Sequence, residues 1–435
     1  MSNAHDRYLA ASPEDWQRKQ LREICTKIVS GGTPSRSNSE YWGGSVPWVT
    51  PGELTHLRTK YVSSTDKRIT ELGLTNSGAT LVPCESLLVT TRATLGSVAL
   101  AAIPLATNQG FKTAVFGPDV DPSFGYHLFH RLKPELTRRA SGTTFLEISG
   151  SQFEQVVVAV PALPEQRRIA AILDAADDAI RSTERLIAKL EEVKFGLLHD
   201  LMTRGFDESG ALRDEVRHPG MFQRLGDLTL PVGWAVCELN SVVDRQRAVV
   251  YGILMPGYGF AGGVPVVKVK DIKDGRINEE DLLLTDPRID DEYRRSRIRE
   301  GDLLFSIRGT VGRTAFVPQT LDGANITQDT ARIAIAGANP RFVAHYLRTP
   351  RAVSFVELHT LGQAVRGINL RDVRRIPLIL PPRSEQDALA GVLDAHDATV
   401  EAGQQRYAKL RLLKAGLMDD LLTGRVRVIV DEDAA

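Results

Sequence analysis

From residue 169 the apolar positions fall three and four apart, with Ile169, Ile172, Ala176, Ala179, Thr183, Leu186, Leu190, Val193 and Leu197 forming one row. That spacing is one face of an α-helix. A second row, Leu173, Ile180 and Ile187, widens the stripe enough for more than one neighbour. Pro161 and Pro164 stand at the start, where a helix tolerates proline, so the pattern predicts a long helix over residues 161–205. Residues 165–203 then recur without a gap as 385–423, with Gln166, Asp174, Asp177, Lys194 and Gly196 matching Gln386, Asp394, Asp397, Lys414 and Gly416. A second helix is therefore expected over 381–428. Its apolar face carries Leu389, Val392, Leu410, Leu413 and Leu417, and His396, Gly403 and Arg406 weaken its middle. At ~1.5 Å per residue, about 40 residues make a rod of roughly 60 Å. Such a rod would overhang a body of ~160 residues, and pairing of the two helices with each other as an antiparallel coiled coil is the expected solution.

Away from the helices the pattern changes to short β-branched runs bounded by Gly, Pro, Asn and Asp: 87–91, 113–116, 156–160, 264–269, 303–307 and 331–335. Short helices are expected at 124–131 and 340–347. Regular strand–helix alternation is missing, which argues against parallel βαβ units and for a curved, mainly antiparallel sheet. These bodies repeat as well. Pro13 to Trp16 matches Pro231 to Trp234, Gly43-Gly44-x-Val46-Pro47 resembles Gly262-Gly263-Val264-Pro265, residues 87–96 mirror 303–312, and 142–148 mirrors 362–368. A period near half the chain means two copies of one unit, not a solenoid. The fold class is thus α+β: two tandem pseudo-repeated α/β bodies joined by two long antiparallel helices. The expected divisions are 1–160, 161–205, a linker over 206–228, 229–380 and 381–428. Head-to-tail helices would set the bodies at opposite ends about a pseudo-two-fold axis, as suits two half-sites on duplex DNA at fixed spacing.

Composition narrows the class. The 435 residues, 42% hydrophobic and 25% charged, suit a soluble protein of several domains, and no apolar run is long enough to span a bilayer. The N-terminus lacks the basic-then-apolar order of a signal peptide, so a cytoplasmic location is expected. Cys25, Cys84 and Cys237 have no metal-site spacing and are expected as core thiols. Lys+Arg and Asp+Glu both number 54, which argues against a non-specific polyanion binder but leaves room for a basic face.

Catalytic signatures are missing. There is no phosphate-binding glycine loop ending in Gly-Lys-Ser/Thr and no Asn/Asp-Pro-Pro-aromatic tetrad. The nine histidines show no metal spacing. Neither a cofactor, a metal site nor a catalytic residue is expected. Asp174, Asp177, Asp394 and Asp397 are expected on the helix surface or at partner contacts rather than in acid–base work.

Two blocks carry a family resemblance over nearly the whole chain. One is Gly31-Gly32-Thr33-Pro34-Ser35 followed by Tyr41-Trp42-Gly43-Gly44 and Pro47-Trp48; the other is Leu163-Pro164-Glu165-Gln166-Arg167-Arg168-Ile169-Ala170 with Ile172-Leu173-Asp174 and the end of the same helix. In these the chain resembles the specificity subunits of type I restriction–modification systems. The second half departs from the pattern, lacking the Thr-Pro-Ser and Tyr-Trp residues and reading Ser384-Glu385-Gln386-Asp387-Ala388. The resemblance implies that each body is a target-recognition domain reading one part of a bipartite sequence in double-stranded DNA. It also implies partners: modification subunits, two in number, that methylate adenine with S-adenosylmethionine, and ATP-dependent restriction subunits.

For base reading, the repeated strand-turn offers Thr91, Arg92 and Thr94 in the first body and Arg308, Gly309 and Thr310 in the second. Arginine contacts guanine through two bonds, and hydroxyls serve bases or phosphates. Asn108, Gln109 and Gln328 are amides of the kind that read adenine. The competing reading pairs Arg92 and Arg308 with an internal carboxylate or a helix C-terminus and gives the amides ordinary loop roles. Arg294, Arg295, Arg297 and Arg299 adjoin Asp290, Asp291 and Glu292 and suit a solvated helix face, with phosphate contact the alternative; Trp42 and Trp48 suit core anchors. Two rival functions stay open: a divergent methyltransferase or nuclease, and a coiled-coil scaffold without sequence-selective DNA binding.

Overall fold

The computed structural model describes residues 4–92, 94–141, 146–362 and 366–429. Of the repeated segments 142–148 and 362–368, residues 142–145 and 363–365 lie outside the described residues, as does Ala93. The chain divides into two compact units, Met1–Arg185 with Gln405–Ala435, and Leu186–Gln404. Both divisions fall within the long helices, Leu163–Thr203 and Arg383–Leu421. Each unit therefore holds one body, the start of the helix that follows that body, and the end of the other helix.

In the first unit Cys25–Ser30, Phe111–Phe116, Leu87–Thr90, Val98–Ala101 and Tyr61–Val62 make a five-stranded sheet, antiparallel except for its last pair. A second sheet orders Lys67–Ile69, Trp42–Val49, Leu105–Thr107 and Leu81–Val82, with Trp42–Val49 parallel to Leu105–Thr107. The second unit repeats this on a smaller scale. Val250–Tyr251, Thr330–Ile333, Leu303–Ser306 and Thr314–Phe316 form one antiparallel sheet, and Leu283–Thr285, Val264–Val267 and Asn325–Ile326 form a mixed one whose last pair is parallel. Two main sheets per body, with additional two-stranded pairs, thus replace the single curved sheet expected. The break comes where backbones nearly touch: a Cβ on Gly31 would lie 1.9 Å from the Asn108 carbonyl oxygen, and one on Gly252 would lie 1.8 Å from that of Ile326.

The helix expected at 124–131 spans Pro122–Arg139 and runs through Pro134. Asp121 caps it by accepting from the Phe124 amide at 3.0 Å, and Pro122 occupies the first turn. Asn339 does the same for Pro340–Tyr346, accepting from the Arg341 and Phe342 amides. The repeated glutamine now has a physical role. Gln166, fully buried, accepts from the Asp121 amide at 2.9 Å and donates to the Pro161 and Asp119 carbonyls. Gln386 accepts from the Asn339 amide at 2.8 Å and donates to the Pro381 carbonyl. Each amide staples the start of a long helix to the N-cap of an earlier helix of the same body.

Both long helices complete both cores. In the first unit Ile169, Ala170 and Leu173 from one helix and Leu421 and Leu422 from the other are buried with Trp16, Phe124, Leu128 and Phe153. In the second unit the matching residues are Leu389, Ala390 and Leu393 with Leu198, Leu201 and Met202. Between cores the helices pair antiparallel by the same ion pair: Asp177–Lys414 at 2.5 Å in the first unit and Asp397–Lys194 at 2.6 Å in the second. Asp174 ties its helix to the body through His127 at 2.8 Å and Lys60 at 2.6 Å. Burial works against its charge, but those two bonds outweigh burial and hold the carboxyl below its ordinary value. Asp394 meets His345 at 2.9 Å and Arg341 at 3.4 Å, and Asp397 meets Arg348 at 3.3 Å.

The stretch after the first helix is tied down. Gly205 adopts φ +59°, and a Cβ there would come within 2.2 Å of a Glu385 carboxylate oxygen. Glu385 accepts from the Phe206 amide at 3.0 Å, Trp234 Nε1 at 2.9 Å and Arg213 at 2.6 Å. A hairpin, Phe222–Leu225 with Leu228–Pro231, follows. At the other end of the chain, Arg427 donates to Glu165 at 2.7 Å and to Asp15 at 2.8 Å. Cys25 and Cys237 are half-buried, but Cys84 is exposed and is no core thiol.

Removing Glu385 leaves three donors, all part-buried, without their acceptor. Glu385→Ala is expected to cost about 2–4 kcal/mol, whereas Glu192→Ala on an exposed helix face should change stability by less than ~0.5 kcal/mol. Chemical denaturation of the full chain compares the two, and equal midpoints would contradict the clamp. Burial also holds the His345 imidazole below its ordinary value of 6.5, against the opposing pull of Asp394. The unfolded chain then takes up a proton that the folded one refuses, so stability is full above pH 6.5 and falls as pH drops below it, by at most ~1.4 kcal/mol per unit from this group. His345→Gln should flatten that part of the profile, and an unchanged slope would assign the pH response to other groups.

Candidate nucleic-acid interface

The repeated strand-turn is built the same way in both bodies. In the first, the Thr90 hydroxyl donates to the Thr94 carbonyl at 2.5 Å and accepts from the Ser97 amide at 3.0 Å. In the second, Ser306 donates to the Thr310 carbonyl at 2.6 Å and accepts from the Arg313 amide at 2.8 Å. A buried hydroxyl inside the turn fixes its shape and projects the arginine that follows.

Three segments converge on each arginine. The Thr91 amide donates to the Gly110 carbonyl and the Ile148 amide to the Thr91 carbonyl, which brings the turn, the Asn108–Gly110 loop and Glu147 together. Correspondingly, the Ile307 amide donates to the Asp329 carbonyl and the Ile368 amide to the Ile307 carbonyl. Arg92, 46% exposed along its side chain, lies 3.9 Å from Glu147, and Arg308, 52% exposed, lies 4.0 Å from Asp329. These separations exceed the 2.7–2.9 Å of a charge-assisted hydrogen bond, so neither carboxylate clamps its arginine tightly. Arg308 also donates to Gln328 at 3.1 Å. In the first body the loop that carries Gln109 is bonded to the turn through the Thr91 amide and the Gly110 carbonyl, while Gln109 itself accepts from Thr33.

The other candidates divide by exposure. Thr91 is buried and its hydroxyl turns inward to the Gly110 carbonyl at 3.3 Å. The Thr94 hydroxyl oxygen is buried without a hydrogen-bond partner. Asn108 accepts from the Gly110 amide at 2.8 Å and so shapes its loop. Gln109 is exposed and accepts from the Thr33 hydroxyl. Gly309 holds φ +72° and donates to the Arg366 carbonyl at 2.9 Å; Thr310 is exposed. Outward side chains are therefore Arg92 and Gln109 in the first body and Arg308, Thr310 and, half-buried, Gln328 in the second.

The sequence reading passed over Lys112, which donates to Ser30 at 2.5 Å, and gave Thr33 no contact role. Both border Gln109 or its strand, and lysine in a strand carries no signal of its own. Trp48 is buried and donates from Nε1 to the Gly32 carbonyl at 2.9 Å; Trp42 packs edge-on against it and donates to the Ser35 carbonyl at 3.1 Å. The two indoles hold the loop that carries Thr33 and Ser35. Arg297 is spent on Asp290 at 2.6 Å and Asp291 at 3.4 Å, which fits a solvated face.

Along the helices Ile169 and Leu389 are buried in the two cores, and Ile172, Leu190, Leu197, Leu410 and Leu417 are half-buried. Leu186, Val193, Val392 and Leu413 are exposed, together with Phe195 at 67% and Leu412 at 75%. Among the described residues, no group of three or more His, Cys, Asp or Glu is placed to hold a metal ion, and no helix is long and apolar enough to cross a membrane.

A family described as the type I restriction modification DNA specificity domain matches residues 13–192 and again 231–412. The MjaIX specificity subunit of a type I restriction enzyme from Methanocaldococcus jannaschii is 25% identical over 96% of this chain and 94% of its own length. The EcoBI specificity subunit from Escherichia coli is 25% identical over 60% of this chain and 56% of its own. A solved S subunit of a type I restriction–modification system from M. genitalium shares the fold at TM-score 0.57 with 13% identity, covering 93% of this chain and 96% of that one.

On this geometry Arg308→Ala should weaken sequence-selective duplex binding by roughly 5- to 150-fold, the ~1–3 kcal/mol of a two-bond base contact. Arg288→Ala, on a side chain 88% exposed and paired locally with Asp286, should leave selectivity unchanged. Competition binding against scrambled duplex compares them, and equal effects would remove Arg308 from the reading face.

Proposed function

The chain belongs to the type I restriction–modification DNA specificity family, and from that membership we propose that its two bodies each read one half of a split, asymmetric DNA sequence. The observation that carries this reading is the turn built twice around a buried hydroxyl, each time with an exposed arginine and a glutamine-bearing loop bonded to it, and different loops around it. Two readers of one ancestry and different surroundings suit two half-sites of different sequence. The paired helices serve as the spacer between half-sites.

The chain supplies specificity and leaves chemistry to its partners. Modification subunits, two per chain, methylate adenine, and ATP-dependent restriction subunits cleave. The exposed apolar side chains of the long helices, Phe195, Leu412 and Leu413 above all, suit docking of such subunits, because apolar groups of that size gain from being covered. The complex works in the cytoplasm, where its DNA is. Thr91, Thr94, Asn108 and Gly309 shape the reading turns and loops, and Arg92, Gln109, Arg308, Thr310 and Gln328 meet the bases and phosphates.

Mapping N6-methyladenine in the host genome tests this directly. Deleting the gene should abolish methylation at one split, asymmetric motif. Replacing residues 1–159 with the matching domain of a relative should change one half of that motif and preserve the other. A motif unchanged by the replacement would refute the division of labour between the bodies.

A further inference from the structure

The second body carries an apolar finger that the first body lacks. From residue 248 to residue 267 the chain has no charged side chain. Within that stretch Leu254 is 52% exposed, Met255 78%, and Tyr258 wholly exposed. The finger is held at both sides. The Thr285 hydroxyl, buried, donates to the Pro256 carbonyl at 2.8 Å, and the Phe260 amide donates to the Leu284 carbonyl at 3.0 Å. Between these anchors Gly257 and Gly259 adopt φ of +81° and +118°, conformations that glycine takes without strain. Tyr258 stands at the tip between them.

The finger starts at the reading face. The Gln328 amide donates to the Ile253 carbonyl at 2.9 Å, so the residues that lead into the finger are bonded to the glutamine that contacts Arg308. The first body has at this place the loop held by Trp42 and Trp48, which presents Thr33, Ser35, Arg36 and Glu40 instead. A charge-free tip, anchored to the Leu283–Thr285 strand and rooted at the backbone of Gln328, cannot neutralise phosphate. It suits an apolar feature of the base edges, and the major groove offers one, the C5-methyl group of thymine.

We infer that Met255 and Tyr258 read thymine methyl groups in the half-site bound by the second body. The inference rests on the proposed DNA-reading role and adds to it the chemistry of one reader. Burying one methyl group is worth about fourfold in affinity.

The test uses the assembled complex of this chain with its modification subunits. Selection from randomised duplexes gives the split sequence, and each thymine in it is then replaced singly by deoxyuridine, which lacks only the methyl group. Binding should weaken about fourfold at one or two positions, all in one half of the sequence. The double variant Met255→Ala with Tyr258→Ala should bind the thymine duplex more weakly and lose its sensitivity to uracil at those positions. Uracil tolerated at every position, a half-site without thymine, or sensitivity unchanged in the variant would each overturn the inference. A complex that selects no split sequence at all would instead overturn the DNA-reading role.

Discussion

Everything in this protein depends on a buried glutamate at the head of each long helix. Glu165 and Glu385 are largely buried, at about the depth where a carboxylate without partners would be strongly destabilising. Their partners arrive from remote parts of the sequence: Arg427 for Glu165, and Phe206, Arg213 and Trp234 for Glu385. Because the acceptor is on one helix and the donors follow the end of the other, neither body is closed by its own contiguous residues. The adjacent glutamine does the complementary work, binding the helix start to the N-cap of an earlier helix of the same body. The two clamps are not identical. Trp234 donates to Glu385, whereas the Trp16 indole nitrogen is buried without a partner.

The same economy of parts governs helix pairing. One aspartate–lysine pair serves each unit, at 17–19% side-chain exposure in the first and 30–31% in the second. Pairs at that depth are stronger than surface pairs, but their value lies as much in register, since a shifted helix would separate each lysine from its aspartate. Gly403 lets the helices approach: a Cβ there would stand 3.1 Å from Ile187. The weak apolar middle of the second helix is thus a close contact rather than a gap in the stripe.

The sequence made the architecture legible because the clamp residues had to repeat. Gln166, Asp174, Asp177 and Lys194 each hold a specific partner, so both copies keep them at constant spacing. Burial along the rod was less legible. An α-helix turns every 3.6 residues, and a stripe spaced at 3.5 drifts around it, so Leu186 and Val193 come out exposed while Ile187 is covered. The orientation of Thr91 was hidden for a related reason. Successive side chains of a strand alternate between faces, and only the three-dimensional register shows which face the turn residues join. The docking of Arg213 and Arg427 had no local signal at all, since their partners lie 172 and 262 residues away.

A chain with equal numbers of acidic and basic residues cannot rely on net attraction to a polyanion. Selectivity must then come from placement, and the two bodies place their few outward groups differently. In the first, a loop held by two tryptophans presents hydroxyls and charges beside Gln109 and Lys112. In the second, the corresponding chain leaves Ile253, bonded to the Gln328 backbone, is anchored by Thr285 and Leu284, and presents Met255 and Tyr258 to solvent. The turn that carries each arginine is built alike in both bodies because a buried hydroxyl shapes it. The neighbouring loops are held by different anchors in the two bodies, so they differ without disturbing the frame that carries the turn.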